Sequence, residues 1–305
     1  MPLSIAEMTC RLRWTSPGRL LPWMGPALRG IVAGRMKQQH CRFSPAEQDG
    51  RWKYCKGCPH QADCSYGRLF EPDAPPEIAF PGQGDAVRPL VLAPEFPAPA
   101  QARPGETINL RMVFIARSRV DAEACLTTIR EAGASRSLGP DRIGFDAEPL
   151  RLEETQMNLP TEWPSDGKAT NRLAIELNSP LILRSAQGGE RTQLIREPSF
   201  ADLFGGCLRT VGRLIALYDR QLPNEVFRML KQAAAGVRTH RADYRPFRQW
   251  HWSNRGRSGG SVNGLTGRAE FTDVPPVLVE WMRWAGRLHV GVYRVSGAGG
   301  WRVGV

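Results

Sequence analysis

Leu288-His289-Val290-Gly291-Val292-Tyr293-Arg294-Val295-Ser296-Gly297-Ala298-Gly299 is the stretch on which the fold turns. An apolar lead-in is followed by glycines at 291, 297 and 299, and the flanks 288–295 and 301–305 read as a final pair of strands. Glycine is required where backbone takes positive φ or comes within touching distance of another group. With Arg294 inside the loop and Arg302 beyond it, Gly297 and Gly299 suit close approach to a phosphate backbone. A turn that needs glycine for geometry alone is the competing reading.

Working outward, the second half reads as a strand over 172–184, helices over 200–219 and 224–235, strands near 248–254 and 264–271, and a helix from Asp273. Ser199 is placed to cap the first of those helices. The first half reads as a strand over 5–14, a helix over 25–39, a cysteine-rich stretch, a strand over 107–116, a helix over 122–132 and a strand over 143–152. Residues 90–104 are Pro/Ala-rich and read as an extended connector. Strand and helix, then strand, helix and strand, is a split βαβ pattern if one further strand lies near that connector. The reading is therefore α+β: two tandem ferredoxin-like domains, 1–157 and 170–305, the first with a cysteine-rich, metal-binding insertion at about 41–70.

The chain has 305 residues, 41% of them hydrophobic, enough for two cores. Its 41 Lys+Arg against 30 Asp+Glu leave a net charge of +11, which favours a polyanionic partner, nucleic acid before membrane. No apolar run approaches the ~20 residues of a spanning helix. The start lacks the apolar core of a signal peptide. Seven cysteines, four of them clustered, point to a reducing cytoplasm.

That cluster is Cys41, Cys55, Cys58 and Cys64, with His40 and His60 beside it. A C-x2-C pair supplies two soft ligands from one turn, so a structural zinc is expected, closed to substrate, against the alternative of reduced thiols. On the helix 25–39, Leu28, Ile31 and Val32 form an apolar stripe, while Arg29, Ala33, Lys37 and His40 share another, exposed face. Metal-free RNA cleavage needs a base for a 2′-OH, an acid for the leaving 5′-oxygen and positive charge at the phosphate. Histidine suits the proton transfers. Lysine and arginine suit the charge. His40 can equally be a zinc ligand or a C-terminal histidine facing the helix dipole. Finally, Arg238, Arg241, Arg245, Arg248, Arg255 and Arg257 are interleaved with His240, Tyr244, Trp250, His251 and Trp252 and a single acid, Asp243. Arginine grips phosphate and aromatic rings stack on bases.

These segments, in this order, resemble the CRISPR repeat-processing endoribonucleases of the RAMP superfamily. The resemblance lies in Gly25-Pro26-Ala27-Leu28-Arg29-Gly30, in Cys64-Ser65-Tyr66-Gly67-Arg68-Leu69-Phe70-Glu71 and in Asn178-Ser179-Pro180-Leu181. It continues through Trp250–Arg255, Gly264-Leu265-Thr266-Gly267 and the quoted loop, spanning about residues 10–305. Val292 departs from it, because the family commonly has lysine there. The resemblance implies sequence- and structure-specific, metal-independent cleavage of precursor CRISPR RNA within repeats, giving a 5′-hydroxyl and a 2′,3′-cyclic phosphate. It makes His40 the position matching the family's catalytic histidine and implies no catalytic metal. It also implies retention of the crRNA for an effector complex, whose other subunits would be partners. A noncatalytic RAMP subunit that binds crRNA is the alternative. A zinc-containing DNA-binding regulator would need a helix-turn-helix, which the sequence lacks.

Overall fold

Strand β1 (Leu3–Trp14) buries Met8, Cys10, Leu12 and Trp14 while Thr9, Arg11 and Arg13 point the other way, the period-2 pattern of a strand with one covered face. The computed structural model describes residues 3–44, 47, 54–73, 87–116, 118–135, 138–160, 170–185, 193–219, 222–253 and 258–304. The chain divides into two compact units, Met1–Gln156 with Leu217–Asp219, and Met157–Ala216 with Arg220–Val305.

In the first unit β1 leads to α1 (Gly25–His40), α2 (Ser65–Phe70), β2 (Leu90–Pro94), β3 (Thr107–Ile115), α3 (Ser118–Ala134) and β4 (Phe145–Met157). The sheet order is β2-β3-β1-β4, with β1 and β2 both antiparallel to β3. The missing strand lies inside the Pro/Ala-rich stretch: Leu90, Val91 and Leu92 are fully buried. Pro94 is tolerated there because β2 is a sheet edge.

The second unit repeats the connectivity. β5 (Thr170–Leu181) buries Leu173, Ile175 and Leu177. It is followed by α4 (Phe200–Cys207), a π-helical turn (Leu208–Gly212), α5 (Arg213–Tyr218), α6 (Asn224–Ala235), β6 (Arg238–Ser253), β7 (Ser258–Val274), α7 (Pro276–Leu288) and β8 (Trp301–Gly304). The order is β6-β7-β5-β8, the same placement of strands as in the first sheet. A capping box starts α4: Ser199 Oγ accepts from the Asp202 N–H, and Asp202 accepts from the Ser199 N–H at 2.9 Å. Phe200 meets Phe271 of β7 edge-on at 5.2 Å, tying α4 to the sheet, and Phe204 lies 6.4 Å from Trp281, tying α4 to α7.

Two expectations fail here. Residues 288–295 are not a strand: α7 runs to Leu288, and a 3-10 turn, Arg294–Ser296, follows. Left-handed backbone at Gly291 (φ 82°) and Tyr293 (φ 61°) breaks any extended run. The strands near 248–254 and 264–271 are much longer, forming a ribbon whose polar composition hides its period. Among the described residues no helix is long and apolar enough to cross a membrane.

Candidate functional site

Pro26 starts α1, needing no N–H in the first turn. Leu28, Val32, Ala33 and Met36 are buried. Ala33 therefore corrects the expected exposed strip, and α2 explains why. Its Tyr66 and Phe70 rings stack at 5.7 Å. The Arg29 guanidinium lies 5.7 Å from the Phe70 ring centre and the Lys37 ammonium 5.7 Å from that of Tyr66. Cation–π attraction thus orients both charges. His40 is half-buried at the end of the helix, where Lys37 and His40 together face the negative end of the dipole. Lys37 is one turn from His40, and Arg29 is about 16 Å away along the axis at ~1.5 Å per residue.

The cysteine segment is closed by a carboxylate. Glu71 accepts from the Cys55 N–H at 2.6 Å and from the Tyr66 hydroxyl at 2.8 Å. Gly57 at φ 70° turns the chain so that the Cys58 N–H reaches the Cys55 carbonyl at 2.9 Å. The Cys64 thiol donates to the His40 carbonyl at 3.5 Å. Burial, then the Glu71 charge, pushes the Cys55 thiol up to about 12. Among the described residues no three His, Cys, Asp or Glu side chains are arranged to hold a metal, so the expected zinc at Cys41, Cys55, Cys58 and Cys64 finds no support. C-x2-C spacing supplies a turn whether or not a metal fills it. Sequence reading missed Glu71, and no local signal marks it.

In the second unit β6 and β7 pair from Arg238↔Thr272 to Ser253↔Ser258. Arg238 is bound to Asp273 at 2.9 and 2.6 Å, and Arg245 to Asp243 at 3.1 Å. Arg241 is exposed opposite Glu270, and His240 is exposed at the bulge between Thr239 and Arg241. Arg248 Nε donates to Ser261 Oγ at 2.9 Å. Arg255 and Arg257 lie outside the described residues.

The glycine-rich loop is a packed turn. Gly299 (φ 78°) sits where a Cβ would lie 1.8 Å from the Val290 carbonyl oxygen. Its N–H donates to the Pro180 carbonyl at 2.9 Å, and its own carbonyl accepts from the Val290 N–H at 3.0 Å. Gly297 and Gly299 are both buried: Gly297 takes left-handed backbone (φ 76°) to close the 3-10 turn, and Gly299 allows backbone to cross backbone. Arg294, expected to contact RNA, is only 6% exposed and donates to the Leu288 carbonyl at 3.0 Å. The 3-10 turn folds it back onto the last carbonyl of α7, a correction the sequence could not supply. His289, 1% exposed at φ 58° and ψ 152°, places Nδ1 3.1 Å from the Ala298 carbonyl oxygen. Tyr293, missed by the sequence reading, is 39% exposed and edge-on to His251 at 6.4 Å. The loop and the ribbon thereby meet.

Residues 175–301, which contain both ribbon and loop, match the family model of the CRISPR-associated endoribonuclease Cas6, and residues 3–172 match a model described as an N-terminal domain. The second unit thus carries the sequence signature of the CRISPR repeat-processing endoribonuclease family. Cas6 proteins are RNA-cleaving, crRNA-processing enzymes. A solved Cas6 product complex, 14% identical, aligns over 99% of this chain and 100% of its own with a TM-score of 0.58. Thermus thermophilus Cas6, 12% identical, aligns over 98% of each chain at 0.52. A partial Cas6-RT-Cas1–Cas2 complex, 12% identical, aligns over 99% of this chain and 46% of the other at 0.54. At these identities the likeness is one of fold. No curated protein sequence matches the chain.

Proposed function

We propose that the chain cuts precursor CRISPR RNA within its repeats without a metal ion, as two tandem ferredoxin-like domains, 1–157 and 170–305, working in the cytoplasm. The observation that carries the cleavage chemistry is the pairing of His40 with Lys37 on the last turn of α1, half-buried and with the ammonium held over the Tyr66 ring. A 2′-OH loses its proton, its oxygen attacks the adjacent phosphorus, and the bond to the 5′-oxygen breaks as that oxygen gains a proton. His40 performs one of these transfers, because an imidazole can both accept and donate a proton through its ring nitrogens. Lys37 offsets the charge that builds on the phosphate, and Arg29, further along the helix, adds to the local field. Arg241 and Arg248 hold the RNA backbone. The crRNA remains bound, with other CRISPR proteins as partners, a reading supported by the solved neighbour that forms part of a Cas6-RT-Cas1–Cas2 complex.

The test is single-turnover cleavage of the repeat RNA of the chain's own locus in EDTA. The wild type should cut once per repeat, and His40→Ala should slow cutting by about 10²–10⁴-fold with binding retained. Binding without cutting by the wild type would favour a noncatalytic crRNA-binding subunit. Full activity in His40→Ala would move the proton transfers elsewhere.

A further inference from the structure

Most arginines on the second sheet are already answered by acids. On the side turned away from the helices, Arg302 lies opposite Glu176, Glu176 opposite Arg268, and Arg268 opposite Asp243. This row alternates in sign across β8, β5, β7 and β6, so each cross-strand neighbour attracts and the row carries no net charge. Arg238 is tied to Asp273, and Asp243 is shared between Arg268 across the strands and Arg245 on its own strand. The sheet proper therefore presents little unanswered positive charge.

The distal ribbon differs. Phe247, Gln249 and His251 alternate along β6 with Arg248 and Trp250. The first set faces the glycine-rich loop, where His251 meets Tyr293, so Arg248 and Trp250 turn to the opposite side. Trp250 is 63% exposed, while Trp14, Trp23, Trp281, Trp284 and Trp301 are all buried. Directly opposite it in the register is Ser261, and directly opposite Arg248 is Asn263. Arg248 Nε donates to Ser261 Oγ at 2.9 Å, and Ser261 donates in turn to Asn263 Oδ1 at 3.3 Å. That chain draws the guanidinium across the ribbon to Ser261, the residue opposite Trp250.

We infer that Trp250 and Arg248 form a subsite for one unpaired nucleotide of the RNA, the base stacked on the indole and its phosphate held by the guanidinium; this rests on the RNA-processing reading above. A base inside a duplex has both faces occupied, so an indole can stack only on an unpaired or terminal base. The fixed fork of the guanidinium matches phosphate oxygens.

Affinities of the chain are measured for a short single-stranded oligoadenylate and for a blunt RNA duplex several times longer, in which interior sites far outnumber the two ends, across a salt series. Trp250→Ala should weaken oligoadenylate binding about 5–150-fold, the loss of one stacked base, with an unchanged salt slope. Duplex affinity should hold, and Trp250→Phe should restore most of the loss. Arg248→Ala should flatten the salt slope by about 0.7, one phosphate's share on a single strand. A Trp250→Ala chain that binds oligoadenylate as the wild type does, or that weakens equally on duplex, would overturn the subsite while wild-type cleavage of repeat RNA leaves the RNA-processing reading standing. A wild type that binds neither RNA would overturn both.

Discussion

Gly299 shows how closely one residue can be constrained. At φ 78°, with a Cβ position 1.8 Å from the Val290 carbonyl oxygen, alanine must both strain the backbone and push the Val290 peptide out of place. Gly299→Ala should cost at least about 1–3 kcal/mol in thermal or denaturant unfolding. Gly260→Ala, where nothing lies within 4 Å, should stay within about 0.5 kcal/mol. Equal stability of the two variants would refute the packed-turn account. The thiols make a second residue-scale prediction. Burial pushes Cys10 up to about 11 and Cys55 up to about 12 from an ordinary 9.0, and raises Cys125 and Cys207 as well. Above pH 9 the unfolded thiols ionise while the folded ones stay protonated. Stability should therefore be intact below about pH 9 and fall as pH rises toward those folded values. Urea midpoints under reducing conditions that do not decline over that range would count against it. Of the site residues, the positions of His40 and Lys37 on one helix face were legible from spacing. The covering of that face by α2 was not, because it depends on a segment remote in the chain.

Helix α2 is held by more than apolar contact. Arg68 bonds both oxygens of the buried Asp121 on α3, the Nε contact at 3.3 Å, and also reaches Ser65 Oγ and the Ala62 carbonyl. Arg68→Ala strands a carboxylate that is 5% exposed and should cost about 3–5 kcal/mol. Arg238→Ala breaks an ion pair at the surface, which contributes little. Denaturation curves showing equal losses would mean that α2 is anchored elsewhere. At this scale helix reading succeeded where the start is marked, by the Ser199 capping box at α4 and by Pro26 in the first turn of α1. The ribbon escaped it because exposed charges on both faces leave no hydrophobic alternation to read. β2 escaped for the opposite reason: three buried apolar residues among prolines look like connector until a sheet edge receives them.

Across the whole molecule a net charge of +11 says that a polyanion is attracted, and the strand register says where the attraction is spent. Replacing Arg248 by alanine should lower the slope of log affinity for repeat RNA against log salt by about 0.7, one phosphate's share. Arg302→Ala, whose charge faces Glu176, should leave that slope unchanged, and Arg241→Ala, opposite Glu270, should change it less than Arg248→Ala. A slope that moves with Arg302 and not with Arg248 would place the RNA on the sheet face. The order of motifs, the existence of most helices and strands, the sign of the charge and the positions that demand glycine were determined by sequence alone, because each is a matter of local spacing or composition. Tertiary structure alone decided that Arg294 is buried against α7 and that Glu71 closes the cysteine segment. It likewise decided that Trp250 faces outward while His251 faces the loop. Such outcomes depend on long-range pairing, where a register shift of one residue sends every side chain to the other face.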